Sequence, residues 1–359
     1  MSVTPLILSA LLAAAIALVA TPITGRLALA LGAVDRPNER KISRRENMPL
    51  LGGIAVALAV FGGLWLATSL SPEGLFRGHL GAYLVGGCLL LVIGVIDDRW
   101  GLKALPKLLV QVVAASVAIG FGFQIDHLTD PISHAVWVFP TWLIWLVTIV
   151  WIVGVTNAMN FMDGLDGLCT GIGLIIGVTL TFISWQAGLM SGMALGAVLV
   201  GALAGFLPYN FPPARIFLGD TGAYFIGYCL SLLALEGYQK ASVLTFLVPL
   251  LALAVPIIDA GLSILRRLMH RANPMSADRS HMHHRILETE GDVRSAILSI
   301  YFLTACFCTI AVSFTRLEGW TAILFLAAVA LLTLRLLRNL GFFDNGKLRR
   351  TTEDGGLQR

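Results

Sequence analysis

Residues 141–167 read TWLIWLVTIVWIVGVTNAMNFMDGLDG, an apolar run without a charge that ends in amides, carboxylates and glycines. The apolar part begins near residue 137 and continues to 156, which is about the 20 residues needed to cross a bilayer. The polar part cannot face lipid, because each charge there costs roughly 2.5 kcal/mol or more. It must lie in water or in a polar cavity. Four polar side chains recur at every third residue and would stay within reach of one another on a near-helical backbone: Asn157, Asn160, Asp163 and Asp166.

The rest of the chain is similarly apolar. Of its 359 residues, 57% are hydrophobic and only 13% are charged, which predicts a polytopic membrane protein. The run from Pro5 to Ala33 has no basic residue before its apolar core, so it predicts a first membrane span rather than a secretory signal. The five cysteines lie in apolar segments without a CxxC pair, so no zinc site or disulfide framework is expected.

Apolar segments of suitable length predict eleven membrane spans. These are residues 5–30, 50–70, 80–96, 106–123, 137–156, 168–186, 190–207, 221–236, 242–265, 295–315 and 320–338. Basic residues concentrate in the loops after odd-numbered spans, and only Arg77, Lys240 and Arg316 lie on the other side. The positive-inside rule therefore places the N-terminus outside and the C-terminus in the cytoplasm. We predict an all-α bundle of about 11 transmembrane helices, with one catalytic domain over residues 1–340 and a disordered polar tail over residues 341–359.

Two groups of carboxylates lie at cytoplasmic ends of predicted spans. Asp97 and Asp98 end the third span, and adjacent carboxylates repel each other unless a cation or an opposing side chain compensates. Asp220 directly precedes the eighth span. Both have a simpler interpretation. Asp97 and Asp98 can be solvated residues at the membrane boundary whose charges Arg99 and Lys103 balance. Asp220 can be a helix N-cap.

The longest cytoplasmic loop carries DRSHMHHR at residues 278–285. Its three histidines invite a zinc interpretation, but no cysteine or fourth ligand with suitable spacing lies nearby. Imidazoles beside guanidinium groups suit a phosphate or pyrophosphate better. A solvated basic loop that attracts anionic lipid is the alternative.

Taken together, these motifs say more about the function than any one of them does alone. Carboxylates, amides and an Arg–His cluster gather on one side of the membrane, and the active site is expected in these cytoplasmic loops. Oxygen-rich ligands favour Mg²⁺, with Mn²⁺ as a substitute, and Mg²⁺ commonly shares its coordination with substrate phosphates. The combination predicts phosphoryl chemistry. The sequence has no P-loop and no GxGxxG fingerprint, so a nucleotide would be held differently.

Five motifs, in this order, resemble those of the polyprenyl-phosphate N-acetylhexosamine-1-phosphate transferases. They are PNERK (37–41), IDDRWG (96–101), NAMNFMDGLDG (157–167), FLGDTG (217–222) and DRSHMHHR (278–285). The resemblance implies a bundle of ten or eleven transmembrane helices that transfers a sugar-1-phosphate from a UDP-sugar to a membrane polyprenyl phosphate, with release of UMP. Ser43 departs from the histidine usual in the family, and Gly101 replaces a charged residue found in some relatives.

The first and last motifs resemble the bacterial branch of this family. That branch uses UDP-N-acetylglucosamine and undecaprenyl phosphate in the cytoplasmic (inner) membrane, and initiates O-antigen, common-antigen or teichoic acid synthesis. The expected partners are therefore these two substrates and membrane lipid, without nucleic acid. A homodimer is compatible with the resemblance.

The resemblance also implies roles for individual residues. Asp220 and Asn160 would bind Mg²⁺, and Asp97 and Asp98 would be catalytic, with Asp97 favoured as the base. Substrate contacts would come from Lys41, Asn157, Asp163, Asp166, Phe217, Arg279, His281, His283 and His284. Among these, Phe217 would stack on uracil, and the histidines with Arg279 would bind pyrophosphate and sugar. Direct attack by the lipid phosphate and a covalent phospho-sugar intermediate both stay open.

Two competing hypotheses come from other protein classes. Secondary transporters also have glycine-interrupted helices with charges, but here the carboxylates lie at span ends and no inverted repeat is visible. CDP-alcohol phosphotransferases also display aspartates around DG pairs. Their longer series of spaced aspartates is missing, since only Asp163-Gly164 and Asp166-Gly167 occur close together.

Overall fold

The computed structural model describes residues 4–35, 47–70, 79–129, 135–238, 243–269, 281–317 and 319–339. Lys41 and Arg279, both predicted to contact substrate, lie outside these ranges, as does the tail over residues 341–359. Within them, the chain is almost entirely helical, which agrees with the predicted polytopic membrane fold.

The helices follow one another in the order α1 (Thr4–Leu31), α2 (Gly52–Leu70), α3 (His79–Gly81), α4 (Gly87–Trp100), α5 (Ala104–Gly120), α6 (Thr141–Phe161), α7 (Leu168–Gln186), α8 (Met190–Asn210), α9 (Gly219–Tyr238), α10 (Val243–Ala252), α11 (Ala254–Met269), α12 (Met282–Glu290), α13 (Val293–Phe314) and α14 (Gly319–Asn339). A π-helical turn over Ala82–Gly86 joins α3 to α4, so that His79–Trp100 is one continuous helix. Two short antiparallel pairs complete the described structure: β1 (Val34–Asp35) with β2 (Met48–Pro49), and β3 (His127–Thr129) with β4 (Val136–Val138).

Every predicted span coincides with helix over most of its length. Eight of the described helices are long and apolar enough to cross a membrane, and α5 is a shorter apolar helix of 17 residues. The predicted span 242–265 is broken at Leu253, between α10 and α11. Pro256 explains the break, because it has no N–H to donate to the carbonyl of Ala252, which instead accepts a hydrogen bond from the Cys308 thiol. The count of eleven spans and the orientation of the termini stay predictions.

One predicted boundary is wrong. The span at residues 137–156 was expected to be helical from its first residue, but Val136–Val138 pairs with His127–Thr129 in a hairpin, and α6 begins at Thr141 after Pro140. The apolar, β-branched sequence of this strand resembles the apolar helix that follows it. Composition alone could not separate the two.

Helix α9 lies at the centre of the fold. Every residue from Thr221 to Glu236 is buried, and the helix packs against α2, α4, α6 and α7. The first turn of α9 lies in direct backbone contact with α2 and α4. A Cβ on Gly53 of α2 would overlap the nitrogen of Gly222, and a Cβ on Gly94 of α4 would overlap the Cα of Thr221. Small residues allow such close approach between membrane helices. The start of α9 is therefore fixed between two other helices.

The π-helical turn is stabilised by a side chain from α9. The Tyr228 hydroxyl donates a hydrogen bond to the carbonyl oxygen of Ala82 (2.9 Å), and its ring packs against Gly86 without room for a Cβ. A π turn widens the helix and disrupts the regular backbone ladder, so an added donor is favourable there.

Helix α14 belongs to a separate compact unit that begins at Arg316. It is apolar over its length, with a mean hydropathy of 2.1 in its most apolar window. The single catalytic domain over residues 1–340 stays a prediction.

Candidate active site

A cavity of about 800 Å³ opens where α1 and α4 end and where α2 and α9 begin. Its polar and aromatic lining residues are Asp35, Asp97, Asp98, Arg99, Trp100, Asp163, Asp166, Asn210, Phe217, Asp220 and His284. Six of these are carboxylates, whereas Arg99 is the one lysine or arginine among the described lining residues. The cavity is therefore strongly acidic.

Asp98 holds the first turn of α9. Its carboxylate accepts hydrogen bonds from the backbone amides of Asp220 (2.8 Å) and Thr221 (3.1 Å) and from the Thr221 hydroxyl (2.6 Å). The first amides of a helix have no partner within the helix, and a carboxylate from another element can satisfy them. Gly219 lies directly against Asp98 with a φ of 74°, a conformation and a spacing that both favour glycine. Asp98 therefore positions Asp220.

Asp97 and Asp220 share one ammonium group. Lys107 of α5 donates to the Asp97 carboxylate (2.6 Å) and lies 3.5 Å from the Asp220 carboxylate, and the amide of Leu102 also donates to Asp97 (2.6 Å). The amide nitrogen of Asn160, at the end of α6, donates to the other oxygen of Asp220 (2.8 Å). Four helices thus bring these polar groups together. The Asp220 side chain is 32% exposed, and it lines the cavity.

The polar loop after α6 forms another wall. Asp163 and Asp166 line the cavity, and the Asp166 carboxylate also accepts from the amide of Ala214 (3.0 Å), which ties this loop to the segment before α9. In that segment Phe217 is partly exposed to the cavity. Its amide donates to the carbonyl of Pro49 (2.9 Å), and its carbonyl accepts from the amide of Gly52 (3.1 Å), so its backbone is fixed beside α2.

The histidine segment is anchored by a buried carboxylate on α11. Asp259 is fully buried and accepts from His281 Nδ1 (2.8 Å) and from the amide of Met282 (2.6 Å). A carboxylate can only accept, so Nδ1 of His281 carries the proton of this hydrogen bond. His284, three residues further on, lines the cavity.

His283 is the most deeply buried of the three histidines. It is 2% exposed, and its ring leaves no room for a Cβ on Gly164 of the loop after α6. Burial, and next the neighbouring His284, lower the pKa of His283 to about 3, so its imidazole is neutral at ordinary pH. The geometry makes His283 a packing residue between the histidine segment and this loop.

Asn157 points away from the cavity, toward α5. Its amide nitrogen donates to the side chain of Gln111 (2.6 Å) and to the carbonyl of Val153 (2.8 Å), and it does not line the cavity. The pair Asn157–Gln111 joins α5 to α6. The regular three-residue spacing suggested that all four polar residues of this stretch share a site, but α6 rotates Asn157 toward α5 instead.

Three residues of the site region have roles that the sequence did not assign. Lys107 lies ten residues after Asp97 at the start of an apolar helix, where the positive-inside rule explains a lysine without any role in a site. Asp35, which is 5% exposed and lines the cavity, lies in the first predicted cytoplasmic loop, whose charges the positive-inside rule explains without a site. Asp259 lies inside the predicted span 242–265, and an intramembrane carboxylate is a functional candidate by default, but its partner 22 residues away cannot be derived from spacing.

The donors suit Mg²⁺ that is shared with substrate. Among the residues that the structure describes, no group of three or more His, Cys, Asp or Glu side chains could hold a metal ion by itself. Mg²⁺ is often bound through one or two carboxylates, with waters and substrate phosphates completing its coordination. Asp220, partly exposed in the cavity and adjacent to Asn160, meets this requirement. The excess of carboxylates over cations supports the same conclusion.

Together the fold and the cavity define a class: multi-pass membrane proteins with an acidic site at one end of the helical bundle. Residues 80–238 match Glycosyl transferase family 4. A probable undecaprenyl-phosphate N-acetylglucosaminyl 1-phosphate transferase of Bacillus subtilis is 32% identical over 337 residues, which cover 94% of this chain and 92% of that protein. The chain therefore belongs to glycosyl transferase family 4, in agreement with the resemblance of its motifs.

Other relatives agree with this assignment. The decaprenyl-phosphate N-acetylglucosaminephosphotransferase of Mycolicibacterium smegmatis is 35% identical over 324 residues, which cover 82% of this chain and 79% of the relative. The undecaprenyl-phosphate alpha-N-acetylglucosaminyl 1-phosphate transferase of Salmonella typhi is 27% identical over 304 residues, which cover 80% and 78% respectively. The family disfavours the transporter and CDP-alcohol phosphotransferase hypotheses.

Proposed function

We propose that this protein transfers N-acetylglucosamine-1-phosphate from UDP-N-acetylglucosamine to undecaprenyl phosphate and releases UMP. The product is the pyrophosphate-linked lipid that starts a cell-envelope polysaccharide such as O-antigen, common antigen or teichoic acid. The observation that carries the proposal is the meeting of Asp97, Lys107 and Asp220 in an acidic cavity at the end of a membrane bundle. The names of the relatives support the same donor group and the same kind of lipid acceptor.

The reaction that we favour is a direct displacement. An oxygen of the lipid phosphate forms a bond to the β-phosphorus of the UDP-sugar, and the bond from that phosphorus to the bridging oxygen breaks, so UMP leaves with that oxygen. A phosphate monoester has its second pKa near 6 and is largely dianionic at pH 7. A strong general base is therefore unnecessary. Asp97, held by Lys107 and Leu102, would orient the acceptor and take up any remaining proton.

The metal would be held by Asp220 with Asn160. When bound, Mg²⁺, or Mn²⁺ in its place, supplies positive charge to the diphosphate and to the UMP leaving group. Around it, Asp98 keeps the first turn of α9 in position, and Lys107 balances the two carboxylates. Phe217 offers an aromatic face for uracil, and Asp163, which lines the same cavity, would contact the nucleoside.

Asp166 would order the loop, because its carboxylate already binds the amide of Ala214. His284, which lines the cavity, and His281, oriented by Asp259, would contact the pyrophosphate and the sugar. We place the protein in the bacterial cytoplasmic membrane with this cavity on the cytoplasmic side, where UDP-sugars are available.

The test is an assay of purified protein with UDP-N-acetylglucosamine, undecaprenyl phosphate and Mg²⁺, with UMP and the lipid product measured together. We expect equal amounts of both, loss of the reaction on chelation of divalent cations, and recovery with Mg²⁺ or Mn²⁺. The matched control is Asp220→Asn, which should be inactive with and without added metal. If UMP is absent with this donor and with other UDP-N-acetylhexosamines, the proposed function is wrong.

The same assay separates the two mechanisms. With donor and Mg²⁺ but without lipid, direct displacement predicts neither UMP release nor exchange of labelled UMP into the UDP-sugar. A covalent phospho-sugar on a carboxylate predicts both in the wild-type protein. Either result leaves the overall reaction as proposed.

A further inference from the structure

Arg99 joins the cavity to the membrane-facing side of α4. Cys88 and Val92 are exposed on the outer face of this helix, and Arg99 follows Val92 by seven residues, which places it on the same face. Arg99 is itself exposed and also lines the cavity. The apolar stripe that faces lipid therefore ends in a cation that belongs to the site.

The surroundings of Arg99 suit the head of a lipid. Its guanidinium lies over the ring of Trp100 (5.6 Å to the centroid), and the indole is 70% exposed. On its other side the guanidinium lies alongside Gly32, directly after α1, whose last residue, Leu31, is 50% exposed. Exposed apolar side chains of α1 and α4 thus flank a charged group at the cavity rim.

Charge favours a phosphate at this position. The cavity presents six carboxylates, which repel an anionic lipid, and Lys107 is already bound to Asp97. Arg99 is the one lysine or arginine among the described lining residues, so it is the cation of the cavity lining that would attract this phosphate. A tryptophan–arginine pair at the end of a membrane helix is often only an interfacial anchor. An anchor, however, need not line the cavity, and Arg99 does.

We infer that Arg99, supported by Trp100, binds the phosphate of the polyprenyl phosphate acceptor as it passes from the bilayer into the cavity between the ends of α1 and α4. This inference rests on the proposed function. Arg99 is a substrate-binding residue for the lipid, and the donor UDP-sugar does not depend on it. A guanidinium can bind a phosphate through two parallel hydrogen bonds, which a lysine cannot reproduce.

The test varies each substrate separately in mixed micelles. For Arg99→Ala we expect the KM for undecaprenyl phosphate to rise on the order of tenfold, the effect of one charge-assisted hydrogen bond. The KM for UDP-N-acetylglucosamine should stay within about twofold. Arg99→Lys should give a smaller rise. Arg215→Ala removes an exposed arginine that does not line the cavity, and it should leave both KM values unchanged.

Direct binding provides a second measurement. Wild-type protein should bind the polyprenyl phosphate more tightly than the uncharged polyprenol, and Arg99→Ala should lose this difference. If Arg99→Ala does not fold, Arg99→Gln and Arg99→Lys replace it. A rise in the donor KM, an equal effect of Arg215→Ala, or an unchanged preference for the phosphate would overturn the inference. A wild-type protein that releases no UMP would instead contradict the proposed function.

Discussion

Asp97 and Asp98 are neighbours in the chain but have different partners. Asp98 uses both carboxylate oxygens on the first turn of α9, whereas Asp97 binds Lys107 and the amide of Leu102. Asp98 therefore acts on the site through the backbone of Asp220. Asp97 lines the cavity and binds the ammonium group that it shares with Asp220. The two substitutions should have separable effects.

We predict that Asp98→Ala lowers the midpoint of thermal unfolding more than Asp97→Ala. Removal of the acceptor for the first turn of α9 costs about 1 kcal/mol, whereas Lys107 keeps Asp220 as a partner when the Asp97 carboxylate is removed. Asp97→Asn should lower the rate of UMP release about 100-fold or more. Thr221→Val, which removes one donor to Asp98, serves as the control and should lower stability in the same direction by less. Equal losses of stability in both aspartate variants would contradict this assignment.

His283 should make the folded protein less stable at acidic pH. Its pKa is lowered to about 3 in the folded protein from an ordinary value of 6.5, so between these values the unfolded state binds more protons. Stability therefore falls as the pH decreases below 6.5, and His283 contributes no pH dependence above it. We predict that wild-type protein loses more stability between about pH 7 and about pH 5.5 than His283→Gln does. Unfolding midpoints in detergent measure the difference, and identical pH profiles would refute it.

At the scale of elements, the crossing of α2, α4 and α9 determines the site. We predict that Gly53→Ala forces α2 away from α9, because its Cβ would overlap the backbone of Gly222. Overpacking of this kind costs about 1–3 kcal/mol and should also lower activity, since it moves the first turn of α9. Unfolding midpoints and UMP release are the measurements.

The matched control is Gly154→Ala on α6. No atom lies within 4 Å of a Cβ built there, so this substitution should be neutral or stabilise the helix by about 0.5–1 kcal/mol. If Gly53→Ala behaves like Gly154→Ala, the two helices do not pack as closely as described.

The elements were largely predictable because membrane helices are long and apolar. Hydropathy placed α1, α2, α7 and α13 within a few residues of their ends. Hydropathy failed at Val136–Val138, because this strand and the helix after it have a similar apolar composition. It also failed at Pro256, where a single proline interrupts an apolar segment. Neither the hairpin partner nor the rotation of Asn157 toward Gln111 is encoded in local sequence.

Many residues of the site could also be predicted from the sequence, although for a different reason than the helices. Carboxylates are costly at a membrane boundary, so Asp97, Asp98, Asp163, Asp166 and Asp220 stood out in the sequence, and all five line one cavity. Their pairings were not predictable. The contacts of Asp98 with α9 and of Asp259 with His281 join residues 122 and 22 positions apart, and only the packing of the helices brings them together.

For the whole molecule, the predicted orientation can be tested by chemical labelling. In a cysteine-free background, Trp137→Cys should react with a membrane-impermeant maleimide in intact cells, because the β3–β4 hairpin is expected outside and Trp137 is 58% exposed. Lys103→Cys, which is exposed near the cavity, should react only after permeabilisation. Labelling of Lys103→Cys in intact cells would show that the orientation is inverted.

The π-helical turn over Ala82–Gly86 holds one residue more than a regular helix needs to cover the same distance. Removing one residue from this turn would restore a regular helix and leave the rest of α4 in nearly the same orientation, because a π turn accommodates an extra residue between aligned flanks. The same deletion between Gly87 and Asp97 would have no π turn to absorb it, and would rotate everything after it by about 100°. Asp97 would then turn away from Lys107. Single-residue deletions should therefore be tolerated far better within the π turn than between this turn and the aspartates of the active site.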